Sequence, residues 1–159
     1  MFQTESYKGS LEDKYNSVSK QLDALLTGEE DFIANLANAS ALLSQFLPEV
    51  NWVGFYLNKD EGLVLGPFQG LPACVRIPVG KGVCGTAVAK NQTMLVDDVH
   101  QFPGHIACDA TSRSEIVIPI RKDGTIIAIL DIDSPVLARF SLEEKVLLER
   151  FVQTLEKHL

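Results

Sequence analysis

Three cysteines, three carboxylates and one pair of aromatic residues carry the chemistry open to this chain of 159 residues. Cys108 lies in the stretch from His100 to Ile120, HQFPGHIACDATSRSEIVIPI, among His105, Asp109, Thr111, Ser112 and Arg113. That segment shows no burying pattern. A cysteine in a polar loop is a candidate nucleophile or redox thiol, because the reactive species is the thiolate. Cys84, between Val83 and Gly85, suits a small core hydrophobe equally well. With Cys74 the count is odd, so at least one thiol stays outside any intramolecular structural disulfide. Zinc is the competing use. Cys74, Cys84, Cys108, His100 and His105 offer ligands, yet no C-x-x-C knuckle is present and the cysteines lie 10 and 24 residues apart. Those spacings fit a zinc site poorly, and both histidines read better as hydrogen-bond donors that order a loop.

The acids stand close by in the sequence. In TIIAILDIDS, strand alternation sets Asp131 and Asp133 on the face shared by Ile127 and Ile129. Either the strand has left the core there and both acids are solvated, or the apolar residues floor a pocket and the acids line its mouth. Glu115 heads the preceding strand. A hairpin turning at Lys122-Asp123-Gly124 brings it roughly opposite Asp131 or Asp133. Carboxylates at that spacing repel, so one holds a proton near neutral pH and becomes a ready general acid. Trp52 and Tyr56 share one face of NWVGFYLN, with Val53, Phe55 and Leu57 on the other. They serve as core packing or as an apolar cup for a small ligand.

These residues need elements to hold them. Residues 10–26 read as an amphipathic helix through Leu11, Tyr15, Val18, Leu22 and Leu25 or Leu26, with Gly28 as its stop. A second helix starts at or just after Thr27, which forms a capping box with Glu30, and ends before Pro48. Small residues from Ala34 to Ala41 let it approach a sheet. Strands follow at 51–58, 63–69, near 74–78 and at 93–96, with a short helix over 83–90. The strands at 115–121 and 125–133 give the strongest hairpin signal. Ser141 to Glu144 forms a capping box for a terminal helix through Val146, Leu147, Phe151, Val152 and Leu155. Hairpin connections exclude a mostly parallel sheet. The expected class is α+β, a central antiparallel sheet flanked by N-terminal helices (about 10–47) and a C-terminal helix (about 141–158), in one domain over 1–159. Residues 98–113 are long for a structureless connection, which suggests a functional lid.

Bulk properties narrow the function. A net charge of −7 disfavours nucleic acid, whose phosphates call for clustered Lys and Arg. No apolar run reaches the ~18 residues of a membrane span. MFQTESYKGS lacks the basic and apolar regions of a signal peptide. A cytoplasmic location, where thiols stay reduced, is expected.

With these residues in view, NWVGFYL, LGPFQG, PACVRIPVGKGVCGTA, DVHQFPGHIACDATSRSEIVIPI and LDIDSP together resemble the free methionine-(R)-sulfoxide reductases, which are built on the GAF fold. The resemblance runs from about Ser40 to the C-terminal helix and shows no departure at a motif position. It implies a GAF-like fold, with Cys108 as catalytic cysteine and Cys74 and Cys84 as resolving cysteines. It implies that Glu115, Asp131 and Asp133 hold the sulfoxide oxygen and the substrate ammonium, and that Trp52 and Tyr56 surround the substrate methyl group. It further implies no bound cofactor and thioredoxin, with its NADPH-dependent reductase, as electron donor; a homodimer is expected. Which of Cys74 and Cys84 resolves stays open. A disulfide from Cys108 to either requires Cα atoms within roughly 7 Å. The rival reading is a non-catalytic GAF module that senses a small ligand, which has no need of three cysteines and these acids together.

Overall fold

Two tight hairpin turns and three longer connections join six strands into one antiparallel sheet, seen in a computed structural model that describes residues 6–106 and 108–159. Half of the MFQTESYKGS segment and position 107 of the 98–113 loop lie outside the described residues. The strands are β1 (Trp52–Lys59), β2 (Gly62–Gln69), β3 (Arg76–Ile77), β4 (Met94–Val96), β5 (Ser114–Lys122) and β6 (Thr125–Ser134). Their order is β3-β2-β1-β6-β5-β4, so β1 and β6 are central. The β5–β6 hairpin turns through Asp123 and Gly124, both at positive φ (52° and 79°). That is the geometry a two-residue turn needs to match the twist of its strands, and Asp-Gly is a pair that tolerates it.

Helices α1 (Leu11–Leu26), α2 (Phe32–Phe46) and α4 (Leu142–Glu156) cover one face of the sheet. Their apolar stripes meet Val53 and Phe55 of β1, Ile116, Ile118 and Ile120 of β5, and Ala128, Leu130 and Ile132 of β6. Burial of each large apolar side chain contributes roughly 1.5–3 kcal/mol, so this layer supplies most of the fold's driving force. The short α3 (Gly82–Lys90) and the loops cover the other face around a smaller cluster with Trp52, Tyr56, Val117 and Ile129. No helix among the described residues is long and apolar enough to cross a membrane.

Several local expectations shift. The cap of α2 is Asp31, whose carboxylate accepts from Ala34 N at 2.8 Å, and Thr27 ends α1 by donating its hydroxyl to Asp23 O. Gly28, at φ +86°, separates the two helices, so the linker consumes the residues the Thr27–Glu30 box needed. Ser141 caps α4 through Glu144 N, but the Glu144 carboxylate bonds Tyr15 and Arg139 instead of closing the box. Strand β3 spans two residues: Val75 O still accepts from Leu65 N, but Cys74 lies outside the ladder. A bulge leaves Ile127 without a partner between Arg121↔Ile126 and Ile120↔Ala128. Ile127 therefore packs with the helix-side core rather than sharing a face with Ile129. The 98–113 connection opens with a 3-10 turn, Val99–Gln101, capped by Asp98.

Candidate active site

Sheet register decides which side chains meet. Trp52 of β1 pairs with Asp133 of β6, which pairs with Glu115 of β5; one residue pair along, Gly54 faces Asp131 and Asp131 faces Val117. Alternation sends Trp52, Tyr56, Glu115, Asp131 and Asp133 to the loop side. They line one cavity of about 40 Å³, room for a few waters at ~10–15 Å³ each. Its roof comes from Leu71 to Ala73, from the start of α3 with Cys84, and from the loop with His105, Cys108, Asp109 and Ser112. Of the candidate residues, Cys84, Cys108, His105, Glu115, Asp131, Asp133, Trp52 and Tyr56 thus border this cavity, Cys74 is covalently tied to it, and His100 lies outside the lining.

The aromatic pair does two things. Trp52 stacks on Phe68 at 5.2 Å and lies 5.9 Å from Tyr56, ring centre to ring centre. A Cβ on Gly54 would fall 2.3 Å from Phe68 Cβ and 2.6 Å from the Trp52 ring, so this stack requires glycine there. Trp52 Nε1 donates to Leu71 O at 3.1 Å, and the Tyr56 hydroxyl donates to Cys74 O at 2.9 Å. The polar tips therefore hold the Cys74 loop while the ring faces border the cavity, a use of both ends of an amphipathic ring. Sequence alone offered only the choice between core and cup.

Cys74 and Cys108 form a disulfide across 34 residues, with Cα atoms 5.6 Å apart. This excludes both as thiolate ligands in the pictured state, so the zinc set considered above is not assembled. Cys84 is the free cysteine and is buried. Its thiol donates weakly to Glu115 Oε1 at 3.7 Å. Burial, then the charges of Asp131, Glu115 and Asp133, push the Cys84 thiol well up, so it stays protonated.

Glu115 and Asp131 are not solvated, and Asp133 is half-buried. Glu115 and Asp131 are 5% and 6% exposed. Burial, the charges of Asp131 and Asp133 and a hydrogen bond with Asp131 raise Glu115 far above the usual carboxylate range. Burial, then the charges of Asp131 and Asp109, raise Asp133 likewise. Asp131 is pushed up to about 6 by burial, offset in part by hydrogen bonds with Cys84 and Glu115. Donor atoms of Cys84, Glu115 and Asp131 all lie within 4.8 Å of one another. Asp131 Oδ1 is buried without a hydrogen-bond partner among the described residues, a place that a proton on a neighbouring acid or a donor from a ligand would fill. No Lys or Arg lines the cavity. The site is a buried, proton-holding acid cluster with no cation of its own.

Asn51 is the residue that sequence reasoning missed. Its Nδ2 reaches Asp109 Oδ2 at 2.9 Å, Ser112 Oγ at 3.1 Å and Thr111 Oγ1 at 3.4 Å, and its N–H donates to Asp133 O. It ties the Cys108 loop to the start of β1. Arg113 N to Ser134 O (2.7 Å) and Val99 N to Arg113 O (2.9 Å) pin the loop's ends. Burial and the neighbouring His100 push His105 down, which keeps it neutral at the cavity wall.

Residues 31–159 match the GAF domain family. The free methionine-R-sulfoxide reductase of Escherichia coli is 57% identical, over 91% of this chain and 88% of that protein. Among solved structures, the free methionine-R-sulfoxide reductase of Neisseria meningitidis in complex with its substrate is 43% identical, with a TM-score of 0.93 over 99% of this chain and 95% of that one. The fRMsr of Staphylococcus aureus in complex with substrate is 52% identical, with a TM-score of 0.88 over 98% of this chain and 99% of that one.

Proposed function

The chain belongs to the GAF domain family and, within it, to the free methionine-R-sulfoxide reductases; from that premise we propose that it reduces free methionine-(R)-sulfoxide to methionine with its own thiols. The observation that carries this reading is the meeting of Cys108 with Glu115, Asp131, Asp133, Trp52 and Tyr56 at one cavity. A thiolate attacks sulfoxide sulfur only when the oxygen is protonated as the S–O bond yields. Glu115 and Asp133, both held protonated by burial and by neighbouring charge, suit that general-acid role. Attack by Cys108 transfers the oxygen to its sulfur as a hydroxyl and frees methionine. The Cys74 thiol then displaces that hydroxyl, which leaves as water, and the Cys74–Cys108 disulfide forms.

Cys74 takes the resolving role, supported by its bond to Cys108, whereas Cys84 is buried and held as the thiol, a poor nucleophile. Asp131, in a cluster without a cation, suits the substrate's ammonium, whose positive charge would in turn favour ionised carboxylates. A peptide-bound methionine sulfoxide lacks that ammonium and would leave buried acids unmatched. The ring faces of Trp52 and Tyr56 give the substrate methyl an apolar wall on one side, which selects the hand of the sulfoxide. The chemistry uses side chains alone. The disulfide is returned to thiols by an external dithiol of the thioredoxin type, in a reducing cytoplasm.

The test is a thiol count on the reduced protein before and after exposure to free methionine-(R)-sulfoxide. Loss of two thiols per chain with release of one methionine is expected. Cys108→Ser should release none. Retention of all thiols would leave the GAF sensor reading in its place, and full activity of Cys108→Ser would remove Cys108 from the nucleophile role.

A further inference from the structure

We propose that residues 70–81 form the docking surface for the protein dithiol that re-reduces the enzyme, and that this dithiol attacks the sulfur of Cys74 rather than that of Cys108. The inference rests on the disulfide chemistry proposed above and deepens it.

Three observations carry it. The first is apolar exposure. Leu71, Val75 and Val79 are 61%, 62% and 49% exposed, and each lies within five residues of Cys74. An exposed Leu alone means little, but three large aliphatic side chains around one reducible sulfur make a patch. Such a patch suits the small interfaces of transient redox encounters, which bury less than about 1,200 Å².

The second is charge. The chain as a whole carries −7, yet no acid occurs between Glu61 and Asp97, where Arg76, Lys81 and Lys90 stand. The 70–81 segment itself thus carries Arg76 and Lys81 and no acid, the reverse of the chain's overall sign, with Asp60 and Glu61 at its flank where Gly62 meets Ile77 and Pro78. Those cations favour a partner with acidic residues around an apolar thiol face.

The third is direction. Cys108 borders the cavity, and Cys74 does not, although Leu71, Pro72 and Ala73 do. Cys74 therefore lies on the side of the bond away from the cavity lining, half-buried as Cys108 is. Its loop is anchored, with Cys74 O accepting from the Tyr56 hydroxyl and Val75 O accepting from Leu65 N at 2.9 Å. An anchored loop offers a preformed surface at little ordering cost.

The exchange balances. The partner's thiolate bonds to Cys74 Sγ, the Cys74–Cys108 bond breaks, and its electron pair leaves on Cys108 Sγ. The partner's second thiol attacks its own sulfur in the mixed disulfide and releases Cys74 as thiolate. Two electrons pass from the dithiol, which becomes a disulfide, to the enzyme. Cys108 is thereby released at the cavity, where the next sulfoxide binds.

The experiment uses the full chain and thioredoxin as the probe. Val75→Glu/Val79→Glu touches neither the cavity lining nor the acids. It should raise the KM for thioredoxin tenfold or more, since it sets like charge against an acidic partner. Methionine release in a single turnover and turnover driven by dithiothreitol should stay unchanged. An unchanged thioredoxin KM would overturn the docking surface. Failure of the enzyme reading itself would look different, with no methionine released under any reductant. A thioredoxin lacking its second cysteine should be trapped on Cys74, seen by peptide mass spectrometry; a trap on Cys108 or Cys84 would overturn the direction of attack.

Discussion

Glu144 and Asp131 are both 6% exposed carboxyls on opposite sides of one sheet, and the protein treats them in opposite ways. On the helix side, Glu144 receives Arg139 at 2.7 Å and the Tyr15 hydroxyl at 2.7 Å. Every demand of a buried charge is met there, and the result is a fixed join between α1 and α4. On the loop side, Asp131 sits against Glu115 and Asp133, with no cation among the cavity residues and one oxygen unpartnered. A buried acid cluster of that kind is destabilising unless it holds protons or receives a cation. One face is built to be finished on folding; the other is completed only by a ligand. Stability and chemistry are thus divided between the two faces of the same strands.

The division is sharpest at adjacent residues. Phe55 points into the helix-side core and Tyr56 towards the cavity, though one peptide bond joins them. Phe55→Ala should cost about 3–5 kcal/mol of folding stability in urea denaturation, the usual range for emptying a packed aromatic site. The fraction that folds should keep its KM for the sulfoxide. Tyr56→Phe loses a single hydrogen bond to Cys74 O and should cost about 1 kcal/mol, with slower disulfide formation in a stopped-flow thiol assay. Equal losses of stability in the two variants would erase the division between the faces.

Glu115→Gln probes the other half of the comparison. It removes one of the two acids held protonated and keeps its shape. Single-turnover methionine release should fall by roughly 10²–10⁴-fold, the span a positioned general acid contributes. Folding stability should be unchanged or higher, because a group that resists ionisation becomes permanently neutral. A variant that turned over normally would move the proton to Asp133 alone.

Asp131→Asn tests the same cost through pH. Asp131 titrates at about 6 in the folded chain against an ordinary 3.8, so the fold favours its neutral form. Its contribution to stability is whole below about pH 4 and is lost as pH rises through about 6. Asp131→Asn should therefore gain on the order of 1–3 kcal/mol over wild type at pH 7–8 and nothing at pH 4, read from denaturation midpoints at each pH. A gain independent of pH would mean that packing, and not ionisation, sets the cost.

These contrasts were legible in the sequence to different degrees. Strand alternation separates Trp52 and Tyr56 from Val53 and Phe55, and the Asp123-Gly124 turn fixes the register that pairs Glu115 with Asp133. Both are local rules, and local rules can be read along a chain. The choice of Cys74 over Cys84 as the partner of Cys108 was not readable. It depends on whether the loop with Cys74 or helix α3 with Cys84 brings its sulfur to Cys108 in the 98–113 connection, a matter of tertiary packing. Burial of the acids was hidden for the same reason, since nothing in LDIDSP says that a loop far upstream will roof it. The bulge at Ile127 escaped because a single extra residue leaves no trace in an apolar run. The cap at Asp31 was missed because Thr27 and Glu30 offered an equally good box four residues early.

Asn51 carries one of the smaller expected effects and ties the Cys108 loop to the start of β1. At the entry to a strand an asparagine reads as an ordinary turn residue, and here its amide holds Asp109 and Ser112 of the Cys108 loop. Its backbone N–H is meanwhile bonded to Asp133 O, so the loop is latched to the strand pair that carries the acids. Asn51→Ala removes the side-chain contacts and leaves the backbone bond. The contacts are partly exposed, so the loss of stability should be about 1 kcal/mol. The kinetic effect should be selective. A loop freed of its latch leaves Cys108 less often aligned with Cys74 and with the acids, so both methionine release and disulfide closure should slow by about fivefold, which corresponds to that same ~1 kcal/mol. Asn51→Asp sharpens the reading, because a carboxylate facing Asp109 repels the loop that the amide holds. It should be slower than Asn51→Ala although it is closer in shape. If instead Asn51→Asp matched wild type in both steps, the loop would be held by its pinned ends at Val99 and Arg113 alone, and the latch would have no part in bringing the two cysteines together.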